Sequence, residues 1–399
     1  MIINTSFFLI CCCLFNILIF IDSDINASMA PYLLSFSFIM MIIYFFFNEK
    51  KCLTIISNNH MYQYLAFFIC YSILCFPITG LKGGLLTFTF YMIWLGWLSE
   101  CKLSNKVTLS ILFVFSFVFL LWMSKVRGYF DFFVVELYDE QNENVLNSNA
   151  VGQVITIMMM VIYALIVHFR LSLLFRIGVL IGGIWGTVNC QSRTCVLAVL
   201  IFIFLNGLFN RINNKTKASN TIACCFDFIF LGGVLFPFIY VITKKIIIGL
   251  LESLFGFAIM SKGIDTGRGD LWEELFNLIL DDPTGLMFGY NTDVKFQYLA
   301  ANATNLHSWY LHELYVFGIP GIIVVYLLYR FLIKKACYKG LSDARCALLA
   351  GFIAICFINY FEVSFSYYIF ALLDFLMLGL ACNDYFSSVG NGIIDGRQR

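Results

Sequence analysis

Charge is what this sequence has least of. Lys and Arg number 25 and Asp and Glu 24 in 399 residues, so 12% of the chain is charged and 61% is hydrophobic. A soluble domain carries about 25% charged and about 45–50% apolar residues. So large an apolar excess does not fit inside one water-soluble core, which excludes a soluble enzyme. Too little charge remains for a disordered tail, or for a nucleic-acid module, which needs basic clusters. The 15 cysteines sit in apolar runs such as Cys11-Cys12-Cys13 and Cys224-Cys225, with no CxxC pair and no His/Cys grouping at metal spacing. They read as small hydrophobes rather than ligands. There is no internal repeat and no low-complexity tract. What remains is an all-α, polytopic membrane protein, with the whole chain, 1–399, as one integral membrane domain.

A membrane-crossing helix needs about 20 mostly apolar residues. Twelve stretches qualify, at about 5–21, 29–47, 62–79, 84–99, 107–123, 150–168, 173–190, 194–209, 222–243, 306–329, 345–361 and 365–382. The first lacks the basic lead and small-residue cleavage site of a signal peptide, so it is read as a span. Lys and Arg collect in cytoplasmic loops. With the N-terminus inside, the inner side takes all of the 25 Lys and Arg except Lys82, Lys125, Arg127, Arg193, Lys244, Lys245, Lys262, Arg268 and Lys295. Both termini are then expected in the cytoplasm. Two outer segments are too long for turns, 124–149 and 244–305, and loops of that length usually carry function. In the second, Leu271, Trp272, Leu275, Phe276, Leu278 and Ile279 recur at helical spacing until Asp281-Asp282-Pro283. That pattern predicts an amphipathic helix on the outer membrane face or on the bundle, stopped by the proline.

Charge in or beside a membrane is costly and marks candidate chemistry. Arg193, in Gln191-Ser192-Arg193-Thr194, either snorkels to outer headgroups or turns its guanidinium fork to phosphate oxygens in a cavity. Arg268, in Gly267-Arg268-Gly269-Asp270, is either a solvated loop residue paired with Asp270 or an anion ligand at a helix start. His307, in Leu306-His307-Ser308-Trp309-Tyr310, is either structural or an acid–base group. Its distance from His312 is not the i, i+4 spacing of a helical zinc site. Asp227, Asp374 and Glu362 lie in or at the ends of spans, where a coupled transporter would use acids. Structural hydrogen bonding accounts for them equally well. Tyr298, Trp272, Trp309 and Tyr310 offer rings for stacking on sugars, although interfacial aromatics are common in membranes.

Four patterns occur in a fixed order: Asn147-Ser148-Asn149-Ala150; Ser192-Arg193-Thr194; Gly267-Arg268 with Leu271-Trp272, Pro283-Thr284-Gly285 and Gly289; and His307-Ser308 with Gly318-Ile319-Pro320-Gly321. In this order, with a large outer loop before the last motif, the chain resembles the O-antigen polymerase and O-antigen ligase superfamily of bacteria, over residues 147–325. The resemblance implies a GT-C-like membrane glycosyltransferase acting on the periplasmic face of the inner membrane. It implies a donor glycan linked to undecaprenyl diphosphate and no metal or nucleotide sugar. Arg193, Arg268 and His307 match the family's two loop arginines and its loop histidine. Trp272 and Tyr310 are expected to bind substrate with them. Membrane lipids, a chain-length regulator and a flippase are the implied partners, and no nucleic acid. The Asn-Ser-Asn-Ala pattern and the composition look more like a polymerase. The His-Ser-then-glycine pattern also suits a ligase. A polysaccharide flippase would be expected to show two similar halves with paired broken helices, which this chain lacks.

Overall fold

The computed structural model describes residues 61–79, 85–136, 148–190, 192–212, 215–255, 258–259, 262–263, 268–290, 306–362, 365 and 368–387. The first two expected spans, and residues 291–305 with Tyr298, lie outside them. The helices are α1 (Met61–Thr79), α2 (Leu85–Glu100), α3 (Asn105–Glu136), α4 (Ser148–His168), α5 (Leu173–Asn189), α6 (Arg193–Arg211), α7 (Lys215–Phe255), α8 (Arg268–Asp281), α9 (Gly285–Phe288), α10 (Trp309–Tyr338), α11 (Asp343–Ile358) and α12 (Tyr368–Cys382). Between α7 and α8, Ala258–Ile259 pairs antiparallel with Lys262–Gly263. Each apolar stretch expected from residue 62 onward falls on a helix. Among the described residues, Met61–Thr79, Val151–His168, Arg193–Arg211, Thr216–Lys244 and Trp309–Tyr338 are long and apolar enough to cross a membrane. Helix is the form that satisfies every backbone polar group within one segment, as hydrocarbon demands.

Two helix ends differ from the sequence reading. Helix α3 continues to Glu136, into the stretch expected as the 124–149 loop, and α7 continues to Phe255, past the expected start of the 244–305 loop. No proline interrupts either extension. The amphipathic helix is α8. It buries Leu271, Trp272, Leu275 and Ile279, packs on α7, and ends two residues before Pro283.

Burial separates central from peripheral helices. The apolar window of α4 is 94% buried and that of α7 only 33%. Helix α11 is buried almost throughout and packs on α4, α6, α7 and α12. On α7 the large exposed side chains Phe228, Leu231, Leu235, Ile239, Ile242 and Ile246 are spaced three and four residues apart, one stripe down the helix. Leu174, Ile177, Ile181, Trp185 and Val188 make the same stripe on α5. Apolar stripes of this length suit lipid rather than water. Buried hydroxyls turn inward to their own helix, as water is not at hand: Ser72, Thr156 and Thr187 donate to the carbonyls four residues back at 2.8–2.9 Å.

Helix α10 is broken at Gly318, whose φ of 67° and ψ of −174° lie in a region open essentially to glycine alone. Pro320 then lacks the N–H that would close the next turn. The break exposes two carbonyls, and both are used. Tyr315 O accepts from Tyr290 N at 2.7 Å. Phe317 O accepts from the Tyr71 hydroxyl at 2.7 Å, and the same hydroxyl reaches Met287 O at 2.6 Å. The break thus fastens the α9 segment, and through it the end of α8, onto α10.

Candidate functional site

Four helices begin at one place. Helix α4 has Asn149 as its second residue, α6 begins with Arg193, α8 begins with Arg268, and α10 begins at Trp309 directly after His307-Ser308. Glu362, four residues beyond α11, joins three of them. Its Oε1 accepts from Arg268 Nη2 at 2.8 Å and from Asn149 Nδ2 at 2.9 Å. Its backbone carbonyl accepts from Trp309 N at 3.0 Å, a donor shared with Asn359 O. The fourth start, at α6, lies against α4, where a Cβ at Gly152 would stand 2.7 Å from Ser192 Cβ. The charge of Arg268 acts on both Arg193 and His307. Three cationic or basic residues separated by 75 and 39 positions in sequence are thereby neighbours in space.

The electrostatics favour an anion. Each helix N-terminus carries roughly half a positive charge on its unpaired N–H groups. Two guanidiniums and four helix starts meet one carboxylate. Ser192 and Ser308 occupy the N-cap positions of α6 and α10, but neither hydroxyl caps its helix. Both are buried, and among the described residues neither hydroxyl oxygen has a hydrogen-bond partner. N-cap hydroxyls ordinarily accept from the first-turn N–H groups. Here neither hydroxyl does so.

His307 is held in an unusual state. Its φ of 49° is left-handed, uncommon for a residue with a side chain. Burial pushes its imidazole pKa down to about 4, and the Arg268 charge adds to the fall. The imidazole is therefore neutral at physiological pH, the form that accepts a proton.

Several side chains are placed differently from expectation. Arg268 pairs with Glu362, whereas Asp270 binds Lys244 at 2.8 Å, together with Glu273 at 2.5 Å. These two acids are thus committed to a lysine. Glu313 is buried beside Tyr329 inside the bundle. Trp272 and Tyr310 are not open rings for a sugar. Trp272 is 2% exposed, edge-on to Phe236 and Tyr240, and its Nε1 donates to Leu306 O at 2.8 Å. Tyr310 is 1% exposed, edge-on to Phe230 and Tyr360, and its hydroxyl donates to Cys356 O at 2.9 Å. A Cβ at Gly233 would overlap the Tyr310 ring, so α7 and α10 meet through that glycine. Both aromatics are scaffold. Trp272 holds the residue next to His307, and Tyr310 anchors the start of α10.

Asp227, the acid considered for a coupled transporter, is gripped by Arg330 through both oxygens at 2.9 and 3.0 Å and accepts from the Tyr326 hydroxyl at 2.8 Å. It is a structural ion pair. Glu362 and Asn149 are the site residues that sequence reasoning left without a role. The available signal was an acid at the end of an apolar stretch in a chain poor in charge. Among the described residues no group of three His, Cys, Asp or Glu is placed to hold a metal ion. No protein-family model matches the chain, nor does any curated protein or solved structure.

Proposed function

We propose that this chain is an O-antigen polymerase, a membrane glycosyltransferase that takes a glycan from undecaprenyl diphosphate and joins it to the next lipid-linked repeat unit. One observation carries the reading: Arg193, Arg268 and His307, singled out by the resemblance, lie together at helix starts suited to an anion. In this mechanism neutral His307 takes the proton from the acceptor sugar hydroxyl. The hydroxyl oxygen attacks C1 of the donor sugar, the C1–O bond breaks, and undecaprenyl diphosphate leaves with the electron pair. Arg193 and Arg268 meet the charge that develops on the leaving diphosphate. In the same proposal about twelve helices span the bacterial inner membrane in a GT-C-like arrangement. Both termini are cytoplasmic, the 244–305 segment is periplasmic, and a chain-length regulator and a flippase are partners.

The second reading is an O-antigen ligase, with the same donor and lipid A–core as acceptor. The His307-Ser308 pattern followed by Gly318-Ile319-Pro320-Gly321 favours it. A deletion strain examined on a lipopolysaccharide gel separates the two. Core bearing one repeat unit means polymerase. Bare core with polymer retained on its carrier means ligase. An unchanged ladder rejects both. Complementation with Arg193→Ala, Arg268→Ala or His307→Ala should leave the defect in place while the protein still inserts.

A further inference from the structure

We propose that Glu362 is the positioning residue of this site, aiming the Arg268 guanidinium at the leaving group. The inference rests on the reading of the chain as a lipid-diphosphate-dependent glycosyltransferase.

A single carboxylate oxygen receives Arg268 of α8 and Asn149 of α4, at 2.8 and 2.9 Å. One atom therefore sets two helix starts against each other. The carbonyl of the same residue receives the Trp309 N–H that opens α10, two residues after His307. Arginine presents its donors in one rigid plane, so pinning one Nη fixes the direction of the whole fork. The side chains of Arg268 and Glu362 are 18% and 10% exposed, so the pair is largely withdrawn from water and screening is reduced.

Charge gives the second reason. Arg193 and Arg268 interact as like charges. Glu362 offsets one of them and ties Arg268 in place against the repulsion. Without it, Arg268 loses its hydrogen bond while the positive charge that attracts a diphosphate increases. Ground-state binding of the donor should then persist, and alignment in the transition state should fail. No bond is made or broken at Glu362.

The test uses full-length protein in nanodiscs with undecaprenyl-diphosphate-linked oligosaccharide as donor and a second lipid-linked unit or lipid A–core as acceptor. Binding of undecaprenyl diphosphate alone is measured in parallel, with the melting temperature of each variant. Glu362→Ala should lower kcat on the order of a hundredfold, the scale of a misplaced catalytic group, with the donor KM unchanged or lower. Glu362→Gln keeps an oxygen acceptor at the same place and should recover about tenfold of that loss. Wild-type kcat in Glu362→Ala overturns the inference. So does a loss matched by a fall in melting temperature that Glu362→Gln does not relieve. Wild-type protein that neither binds undecaprenyl diphosphate nor turns over would overturn the glycosyltransferase reading itself, and the inference with it.

Discussion

The state of His307 makes a sharp prediction about pH. An ordinary imidazole has a pKa near 6.5. That of His307 is lowered to about 4, first by burial and then by the Arg268 charge. At pH 5.5 an unperturbed histidine would be only about 9% neutral, whereas one with a pKa of about 4 is roughly 97% neutral. If His307 is the base, glycosyl transfer with purified protein should hold nearly level from pH 8 to below 6. It should fall only as pH approaches 4, on the acid limb of kcat/KM measured with buffer-matched controls for stability. The sign for folding runs the same way. The unfolded chain binds the proton more tightly, so the neutral, buried imidazole supports the fold above about pH 6.5 and loses that support progressively as pH falls toward 4. An acid limb centred near 6.5 would refute the argument, because it would place the base in water, away from Arg268. A profile unchanged in His307→Gln would refute the assignment of the base.

Gly318→Ala puts a side chain where φ is 67° and its Cβ would stand 2.8 Å from Leu286 O. The backbone cost alone is about 1–3 kcal/mol, so heat inactivation should accelerate severalfold; a variant as long-lived as wild type would show that the break in α10 is unstrained. Trp272→Phe removes the donor to Leu306 O and leaves a buried carbonyl unpaired, at a cost of about 1–3 kcal/mol. Its activity should fall more than its stability, read by comparing kcat with residual folded protein, because the lost bond holds the residue next to His307.

How much of this was legible in the sequence depends on what kind of information each feature needs. Helix positions were readable, since hydrocarbon leaves the backbone few choices and the apolar run announces the segment. Helix ends were less so. Nothing in 124–136 or 244–255 breaks a helix, and an apolar-length criterion stops counting where the lipid stops, not where the hydrogen bonds do. Arg193, Arg268 and His307 stood out because charge and histidine are scarce here. The burial of Trp272 and Tyr310 was not legible for the opposite reason: aromatic residues are plentiful, and nothing local distinguishes a ring that faces a ligand from one that closes a core.

Glu362 was the hardest to place, and the reason is physical. Its partners stand 94 and 213 residues away in sequence, on helices that meet it only in three dimensions. A carboxylate among cations also looks, by composition, like a competitor for an anionic ligand. Geometry changes that reading. A cluster of positive helix starts and guanidiniums in a poorly hydrated place repels itself, and the repulsion would scatter the very groups that must act together. One acid tied to Arg268, Asn149 and the start of α10 holds them in register and still leaves the net charge of the three ionised side chains, Arg193, Arg268 and Glu362, at +1. In a chain with so few charges, the negative one at the centre of the site is what allows the positive ones to stay close.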